Sequence, residues 1–356
     1  MKRQPPITRR NFLKLTATAA AAAALASCTS KESASTPDNT PAPEIKPTLP
    51  GSTNPSTTSV ASPSETRPTE TSTPEPTSTP EPTPTTAPAY LAVAHGPDPA
   101  AITRAAIEAV GGMAGFVSAG YDVIIKPNIC VDYHRPEYAA TTNPIVVGTL
   151  VTMCLEAGAS RVRVMDNPIA GTPGSGYVIS EIKKAVTEAG GEMHIMSEPK
   201  FVEVEIPEGR DIKSVQIYPD ILEADLLINV PIAKDHGATR LTLGSKNLMG
   251  VILHRGVFHE NLSQRIADLV SLVRPELTVI DAVRILTAHG PTGGDLSDVK
   301  QMDTVIASRD IIAADAYATT LFGLTGEDIG YIQAGADMGL GTLDLNNISI
   351  QEITLG

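Results

Sequence analysis

Tryptophan is absent from this chain of 356 residues, and aromatic residues make up only 4% of it. Platforms that stack the bases of single-stranded nucleic acids depend on aromatic side chains. Basic residues are also few, with 27 Lys and Arg against 40 Asp and Glu and a formal net charge of −13. Because an acidic protein repels phosphate backbones, we expect no nucleic-acid partner.

Cysteine is equally scarce, and only Cys28, Cys130 and Cys154 occur. Cys28 belongs to an N-terminal targeting segment, so the rest of the chain holds two thiols. Two thiols cannot by themselves complete a four-cysteine zinc site or an iron–sulfur cluster. A disulfide between Cys130 and Cys154 would need a geometry that a sequence does not reveal, so their pairing stays open.

A long apolar run is missing as well. The Ala-rich run from Leu15 to Ala26 is shorter than the roughly 20 residues that span a bilayer. It follows Arg9 and Arg10 in a segment that resembles the twin-arginine export motif, and it leads into Leu25-Ala26-Ser27-Cys28, which resembles a bacterial lipobox. These resemblances imply a signal peptide over residues 1–28, with lipid on Cys28. We therefore expect an exported protein, anchored by lipid to the outer face of the cytoplasmic membrane.

Residues 29–88 are rich in Pro, Thr, Ser and Glu, and the unit TSTPEP occurs twice in tandem at residues 71–82. Such a segment has too few apolar groups to offset the entropy lost on ordering. The composition predicts a disordered stalk that holds the following domain away from the membrane.

Residues 89–356 alternate between short apolar segments and amphipathic ones, which predicts an α/β domain. The natural arrangement is a largely parallel sheet with helices on both faces. The predicted strands are 90–95, 122–126, 161–165, 225–230, 277–283, 303–307 and 348–353. Three further short strands, 192–196, 201–206 and 215–218, predict a small β-rich excursion.

Chemistry-bearing residues concentrate between Asn229 and His259, where a strand is followed by a predicted loop rich in Lys, His, Gly and Asn. Ligands of open α/β sheets bind beyond the carboxyl ends of the strands, so this loop is the candidate site. Imidazole serves both as an acid or base near neutral pH and as a metal ligand. We expect His236 to act as the acid or base. His254 and His259 would bind a metal ion, with Asp281 as a carboxylate ligand or a partner of the ligands.

Three lysines complete the candidate site. Lys246, if removed from water, would have a lowered pKa and serve as a nucleophile or as a tether for a cofactor. Alternatively, it stays charged and holds a carboxylate or phosphate. Lys126 and Lys234 stand at strand ends, where an ammonium group is suited to binding an anion.

Several short motifs resemble those of the family known as domain of unknown function 362. The resemblance covers nearly all of residues 90–350. Some relatives carry a fused ferredoxin-type cluster domain, so a redox role here would be that of a partner whose cluster is supplied by another subunit. The motifs are Lys126-Pro127-Asn128, Thr141-Thr142-Asn143-Pro144, Asn229-Val230-Pro231, Lys234-Asp235-His236, Lys246-Asn247-Leu248-Met249-Gly250, Ile280-Asp281, His289-Gly290-Pro291-Thr292-Gly293-Gly294 and Ala314-Asp315.

A second resemblance is to the N-terminal domain of the nickel-pincer lactate racemases. His236 and Lys246 are ten positions apart, Leu248-Met249-Gly250 follows, and His259 comes later. Met249 stands where the racemases have Pro. The resemblance implies a metal ion or a metal-containing cofactor and a small carboxylate substrate.

Together these patterns lead to one principal hypothesis and two alternatives. The protein is expected to be a metal- or cofactor-dependent enzyme that acts on a small anionic substrate by acid and base chemistry. His236, Lys246 and Lys234 would be catalytic, and Lys126, Asn128, Lys246 and Asn247 would bind the cofactor. The alternatives are a non-catalytic lipoprotein that binds an anionic ligand, and a redox partner of an iron–sulfur complex or another envelope protein.

Overall fold

The computed structural model of this protein describes residues 88–356. Arg9, Arg10, Cys28 and the predicted disordered stalk lie outside the described residues, so the structure does not bear on them. Within residues 88–356, no helix combines the length and the apolar character needed to cross a bilayer.

A ten-stranded sheet organises the domain, with the order β12-β1-β11-β10-β7-β2-β3-β4 and with β8 and β9 attached beside β10. Most neighbours are parallel, whereas β11 runs against β1 and β10, and β9 runs against β8. The strands are β1 Leu91–His95, β2 Asp122–Pro127, β3 Arg161–Val164, β4 Glu192–Met193, β5 Val202–Glu205, β6 Ser214–Ile217, β7 Leu226–Val230, β8 Ile232–His236, β9 Arg240–Thr242, β10 Leu277–Leu286, β11 Val299–Ser308 and β12 Ile350–Thr354.

Helices cover both faces of the sheet, as the alternating pattern predicts. One apolar core lies between the sheet and α1, α2 and α4, and the other lies between the sheet and α7, α8 and α9. The helices are α1 Pro99–Ala109, α2 Pro144–Glu156, α3 Pro173–Ile179, α4 Ile182–Glu188, α5 Asp220–Glu223, α6 Gly244–Asn247, α7 Leu262–Val273, α8 Ile311–Thr319 and α9 Gly330–Asp337.

The two cores follow from the period of two in the strands. In β2, Val123 and Ile125 face one core, while Ile124 faces the other. All three are fully buried, which explains why this segment reads as a continuous apolar run rather than an alternating one. The α/β prediction with a largely parallel sheet is thus confirmed.

The predicted β-rich excursion is smaller than expected. Strands β5 and β6 form a separate two-stranded antiparallel sheet, but β4 pairs in parallel with β3 at the edge of the main sheet. The loop predicted after Val230 is also wrong in part. Pro231 interrupts one line of extended chain, and β8 then continues it beside β10 and turns back through β9. Proline has no N–H for the ladder, which accounts for the break.

Candidate active site

A small cavity of about 50 Å³ opens where β2, β3 and β8 end. This is the carboxyl edge of the parallel strands, where ligands of α/β sheets bind. Six of the residues singled out from the sequence line it, namely Lys126, Asn128, Lys234, His236, Lys246 and Asn247. The structure thus brings together the predicted catalytic and cofactor-binding side chains.

Lys126 forms a buried ion pair with Asp166. The ammonium and the Oδ1 atom are 2.7 Å apart, and the two side chains are 0% and 4% exposed. The other carboxylate oxygen accepts the N–H of Ile129 at 2.6 Å. Burial lowers the pKa of Lys126, and the charge of Asp166 opposes that shift. Asp166 is not among the residues predicted for the site, although its position two residues after β3, at the same sheet edge, was a signal for it.

Gly250 passes so close to this ion pair that no side chain fits there. A Cβ atom on Gly250 would lie 2.1 Å from Asp166 Oδ1 and 2.6 Å from Lys126 Nζ. Real Cβ atoms essentially never come closer than 3.0 Å to another heavy atom, so a side chain here would have to displace the Asp166 carboxylate or the Lys126 ammonium. The close approach of the backbone therefore favours glycine at this position.

Two asparagine side chains link the lysines. The Asn247 carbonyl oxygen accepts from Lys126 at 3.1 Å and from the Asn128 amide at 3.0 Å. The Asn128 carbonyl oxygen in turn accepts from Lys234 at 3.0 Å. Lys234 also donates to the carbonyl oxygens of Ala140, at 2.6 Å, and Pro291, at 2.7 Å. The side-chain carbonyl oxygens of both asparagines therefore orient ammonium groups and are occupied by these hydrogen bonds.

Lys234 is fully buried, and no carboxylate among residues 88–356 is bonded to it. Its three hydrogen bonds go to neutral oxygen atoms, so its charge is solvated without being neutralised. Burial is the main cause that lowers the pKa of Lys234. A buried ammonium without a counter-ion is costly, which makes a bound anion favourable at this place.

Lys246 lies on the four-residue helix α6, half-buried in the cavity wall. Among the residues that the structure describes, no acceptor lies within hydrogen-bond distance of its ammonium group. Burial, followed by the charges of Arg255 and Lys234, lowers the pKa of Lys246 to about 8. The group is therefore partly deprotonated near neutral pH, which suits a base or a nucleophile.

Asp315 holds the helix that carries Lys246. Its carboxylate accepts the backbone N–H groups of Gly244 at 2.6 Å and Ser245 at 2.8 Å, the first two of α6. These N–H groups have no partner inside a helix and must be capped. Burial raises the pKa of Asp315 to about 7, against the opposing effect of these bonds.

Replacing Asp315 with Asn is expected to remove part of the pH dependence of folding. Because burial raises the folded-state pKa to about 7, above the ordinary aspartate value of 3.8, the folded state keeps a proton that the unfolded chain loses. The contribution of Asp315 to the free energy of unfolding therefore falls by about 1.4 kcal/mol for each pH unit between pH 4 and pH 7. Urea unfolding across this range should show a wild-type-minus-variant difference with that slope. Asp344→Asn, at an exposed cap, serves as control, and a constant difference would contradict the prediction.

His236 is neutral and presents a donor rather than an acceptor. Its Nδ1 atom accepts the backbone N–H groups of Ala238 at 3.1 Å and Thr239 at 3.3 Å. Burial, followed by the charges of Lys246 and Lys234, lowers the pKa of His236 to about 4. The ring proton is therefore on Nε2, so at neutral pH this imidazole is arranged to donate a hydrogen bond and not to accept a proton there.

Arg255 contributes a fourth positive charge that the sequence reading overlooked. Its guanidinium donates to the carbonyl oxygen of Met249 at 2.9 Å and to that of Asn167. It lies in the same stretch as His254 and His259, so its position between the two predicted metal ligands was the signal in the sequence. Lys234, Lys246 and Arg255 form no salt bridge within residues 88–356, so the cavity holds more positive charge than Asp166 neutralises.

The predicted metal ligands do not join this cavity. His254 and His259 are exposed, and neither belongs to the cavity wall. Asp281 is fully buried, and its oxygens accept the N–H groups of Asn143 at 2.7 Å and Val283 at 3.0 Å, so it is committed to the backbone. Burial raises the pKa of Asp281 to about 6.

The side chains that line the cavity do not provide a set of donor atoms suited to a resident metal ion. Within residues 88–356, no group of three or more His, Cys, Asp and Glu side chains is arranged to hold one. The Nδ1 atom of His236 is occupied by backbone N–H groups, and the other cavity groups are mostly cationic. His254, His259 and Asp281 are thus not grouped as one ligand set within residues 88–356, and a metal-binding role for them stays a prediction.

A larger cavity of about 520 Å³ lies elsewhere, beside Tyr90, Arg309 and Asp310. It is lined by one arginine and one aspartate, so its formal charges cancel. Asp310 accepts from Tyr90 Oη at 2.6 Å and caps α8 through Ile312 and Ala313, while Arg309 lies over the Phe116 ring. Unneutralised charge, rather than size, therefore identifies the smaller cavity as the candidate site.

Comparison with known families matches residues 123–320 to the family described as "Domain of unknown function (DUF362)". A second match, over residues 6–26, is to the twin-arginine translocation pathway signal sequence. That signal directs export across the cytoplasmic membrane, as Arg9 and Arg10 predict.

Two individual proteins are similar to this chain. The thylakoid-associated protein sll1697 of Synechocystis sp. is 25% identical over 252 residues, which cover 67% of this chain and 74% of that protein. The lactate racemase apoprotein from Thermoanaerobacterium thermosaccharolyticum gives a TM-score of 0.42 at 14% identity, covering 64% of this chain and 56% of that one. A structural likeness at that level does not establish a shared activity, and this chain spans only about half of the racemase.

Proposed function

The chain belongs to the DUF362 family, whose description assigns no activity, and from its cavity we propose that it is an exported enzyme acting on a small carboxylate. The observation that carries this proposal is the excess of positive charge in the cavity. Lys234, Lys246 and Arg255 have no carboxylate partner among the described residues, whereas the chain as a whole carries −13. A bound anion would supply the missing negative charge.

The size of the cavity supports a small ligand. Its volume of about 50 Å³ is far below the roughly 300–1,000 Å³ of pockets for drug-sized molecules. A carboxylate group with one or two attached carbons suits it better than a nucleotide or a peptide. The donors that face the cavity, an imidazole N–H, ammonium groups and a guanidinium, match the acceptor-only oxygens of a carboxylate.

We further propose that the reaction is removal and return of a proton at the carbon next to the carboxylate. Lys246 would be the base, because its lowered pKa leaves part of the amine unprotonated. His236 would donate its Nε2–H to the oxygen on which negative charge develops, while Lys234 and Arg255 lower the energy of that charge. His236 would thus stabilise charge instead of serving as the acid or base expected from the sequence.

The proposal also concerns the location of the enzyme and its cofactor. Lipid on Cys28 would keep the enzyme at the outer face of the cytoplasmic membrane. The intact mass of the exported protein would reveal the lipid. A metal-containing cofactor would require a site other than the predicted ligand set. Elemental analysis of protein purified after export tests it, and no step above passes through such a group.

Proton exchange tests the proposed reaction directly. The full chain is incubated in D₂O with small carboxylates such as acetate, lactate and malonate, and deuterium incorporation at the carbon next to the carboxylate is followed by NMR. We expect exchange of at least one of them, with a rate that rises with pH through about 8 as Lys246 loses its proton. Binding of carboxylates without any exchange would instead support the ligand-binding lipoprotein. Absence of both binding and exchange would refute the proposal.

A further inference from the structure

A free thiol lies in the same cavity wall as the cationic groups. Cys130 is 2% exposed and lines the cavity. Its S–H donates to the carbonyl oxygen of Pro291 at 3.3 Å, and the same oxygen accepts the Lys234 ammonium at 2.7 Å. The shared acceptor places the sulfur beside a buried positive charge. The mechanism proposed above leaves this nucleophilic atom without a use.

A second group in the wall is a buried hydroxyl without a partner among the described residues, which leaves it free to bond to a ligand beside the thiol. Thr242 is 4% exposed and lines the cavity, yet its hydroxyl oxygen has no hydrogen-bond partner among the described residues. An unpaired buried hydroxyl costs about 1–3 kcal/mol, so a ligand that bonds to it is favoured. The Lys246 ammonium, also in the wall, likewise has no acceptor within the part of the chain that the structure describes. The Thr242 hydroxyl and the Lys246 ammonium can both donate hydrogen bonds to the oxygen atoms of an anion.

We propose that Cys130 is a covalent attachment site for small carboxylates that carry an electrophilic carbon. The inference rests on the proposed anion-binding role of the cavity, because the cations would hold the carboxylate while the sulfur attacks. The thiol proton passes to the Lys246 amine, and a sulfur–carbon bond forms. With a haloacetate, the carbon–halogen bond breaks and halide leaves. With a 2,3-unsaturated carboxylate, the displaced π pair takes a proton from Lys246 at the carbon next to the carboxylate, and nothing leaves.

Alkylation with two reagents of similar size tests the proposal. Iodoacetate carries a carboxylate, whereas iodoacetamide is neutral. The folded full chain is treated with each reagent, and the modified fractions of Cys130 and Cys154 are followed by peptide mass analysis. Cys154 is the internal control, because it is fully buried, it contacts Met113 Sδ at 3.8 Å, and burial raises its pKa to about 12. The urea-unfolded chain supplies the intrinsic rate ratio of the two reagents.

We expect Cys130 to react while Cys154 does not. At Cys130 in the folded chain, the iodoacetate-to-iodoacetamide rate ratio should exceed that of the unfolded chain by roughly tenfold or more. Acetate should protect Cys130, and Thr242→Val should weaken that protection. Failure of both reagents to modify Cys130 would overturn the inference and leave the exchange reaction standing. Modification of Cys130 without carboxylate preference or acetate protection would overturn it together with the proposed anion site.

Discussion

Replacing Lys246 with methionine is expected to lower the proton-exchange rate of a carboxylate substrate by a factor of about 10²–10⁴, the usual contribution of a positioned base. Methionine retains most of the length of the side chain and removes the amine. Since no acceptor among the described residues bonds to the Lys246 ammonium, its removal leaves no partner unpaired. Deuterium incorporation followed by NMR at pH 8 measures the loss.

Two further variants serve as controls. One tests whether Lys246 acts as a base or only through its charge, and the other tests whether any Lys-to-Met change lowers the exchange rate. Lys246→Arg keeps a positive charge that is not given up near neutral pH, so it should retain carboxylate binding and lose exchange. Lys183→Met is the same Lys-to-Met change at an exposed lysine of α4, outside the cavity wall. It should leave the exchange rate unchanged. Full exchange in Lys246→Arg would show that Lys246 acts only through its charge.

Replacing Asp166 with asparagine is expected to lower the free energy of unfolding by about 3–5 kcal/mol, because it leaves the buried Lys126 ammonium without its counter-ion. The shape of the side chain is almost unchanged, so the loss reports the charge rather than packing. Urea unfolding followed by circular dichroism at pH 7 measures it.

An exposed ion pair supplies the matched control for that experiment. Arg104 and Glu156 are joined at 2.9 Å, with side chains that are 44% and 55% exposed. Glu156→Gln makes the corresponding change from acid to amide where water screens the charges, so it should cost only about 0–1 kcal/mol. Equal losses in the two variants would show that burial of the Lys126–Asp166 pair has no special weight.

The sheet and most of the site could be predicted because their signals are local. A run such as Val123, Ile124 and Ile125 with all three side chains buried is what a strand covered on both faces requires. Ligands gather at the carboxyl ends of parallel strands, and this rule predicts that Lys126, Lys234 and Lys246 lie at one edge of the sheet.

The errors arose where function depends on which partner a side chain finds. Asp281 could not be distinguished from a metal ligand, because only the folded chain shows two backbone N–H groups bonded to its oxygens. The donor role of His236 likewise depends on the turn that aims the N–H groups of Ala238 and Thr239 at Nδ1. Strand β8 was missed because Lys and His are unusual in a buried strand, and tertiary contacts rather than propensity account for them.

The close passage of the chain at Gly250 has an evolutionary consequence. Only a hydrogen atom fits between this backbone and the ion pair, so every codon change there that adds a side chain must also displace Lys126 or Asp166. A saturation library at position 250 should therefore be nearly empty of functional substitutions, whereas one at Gly237, which has open space around it, should tolerate many.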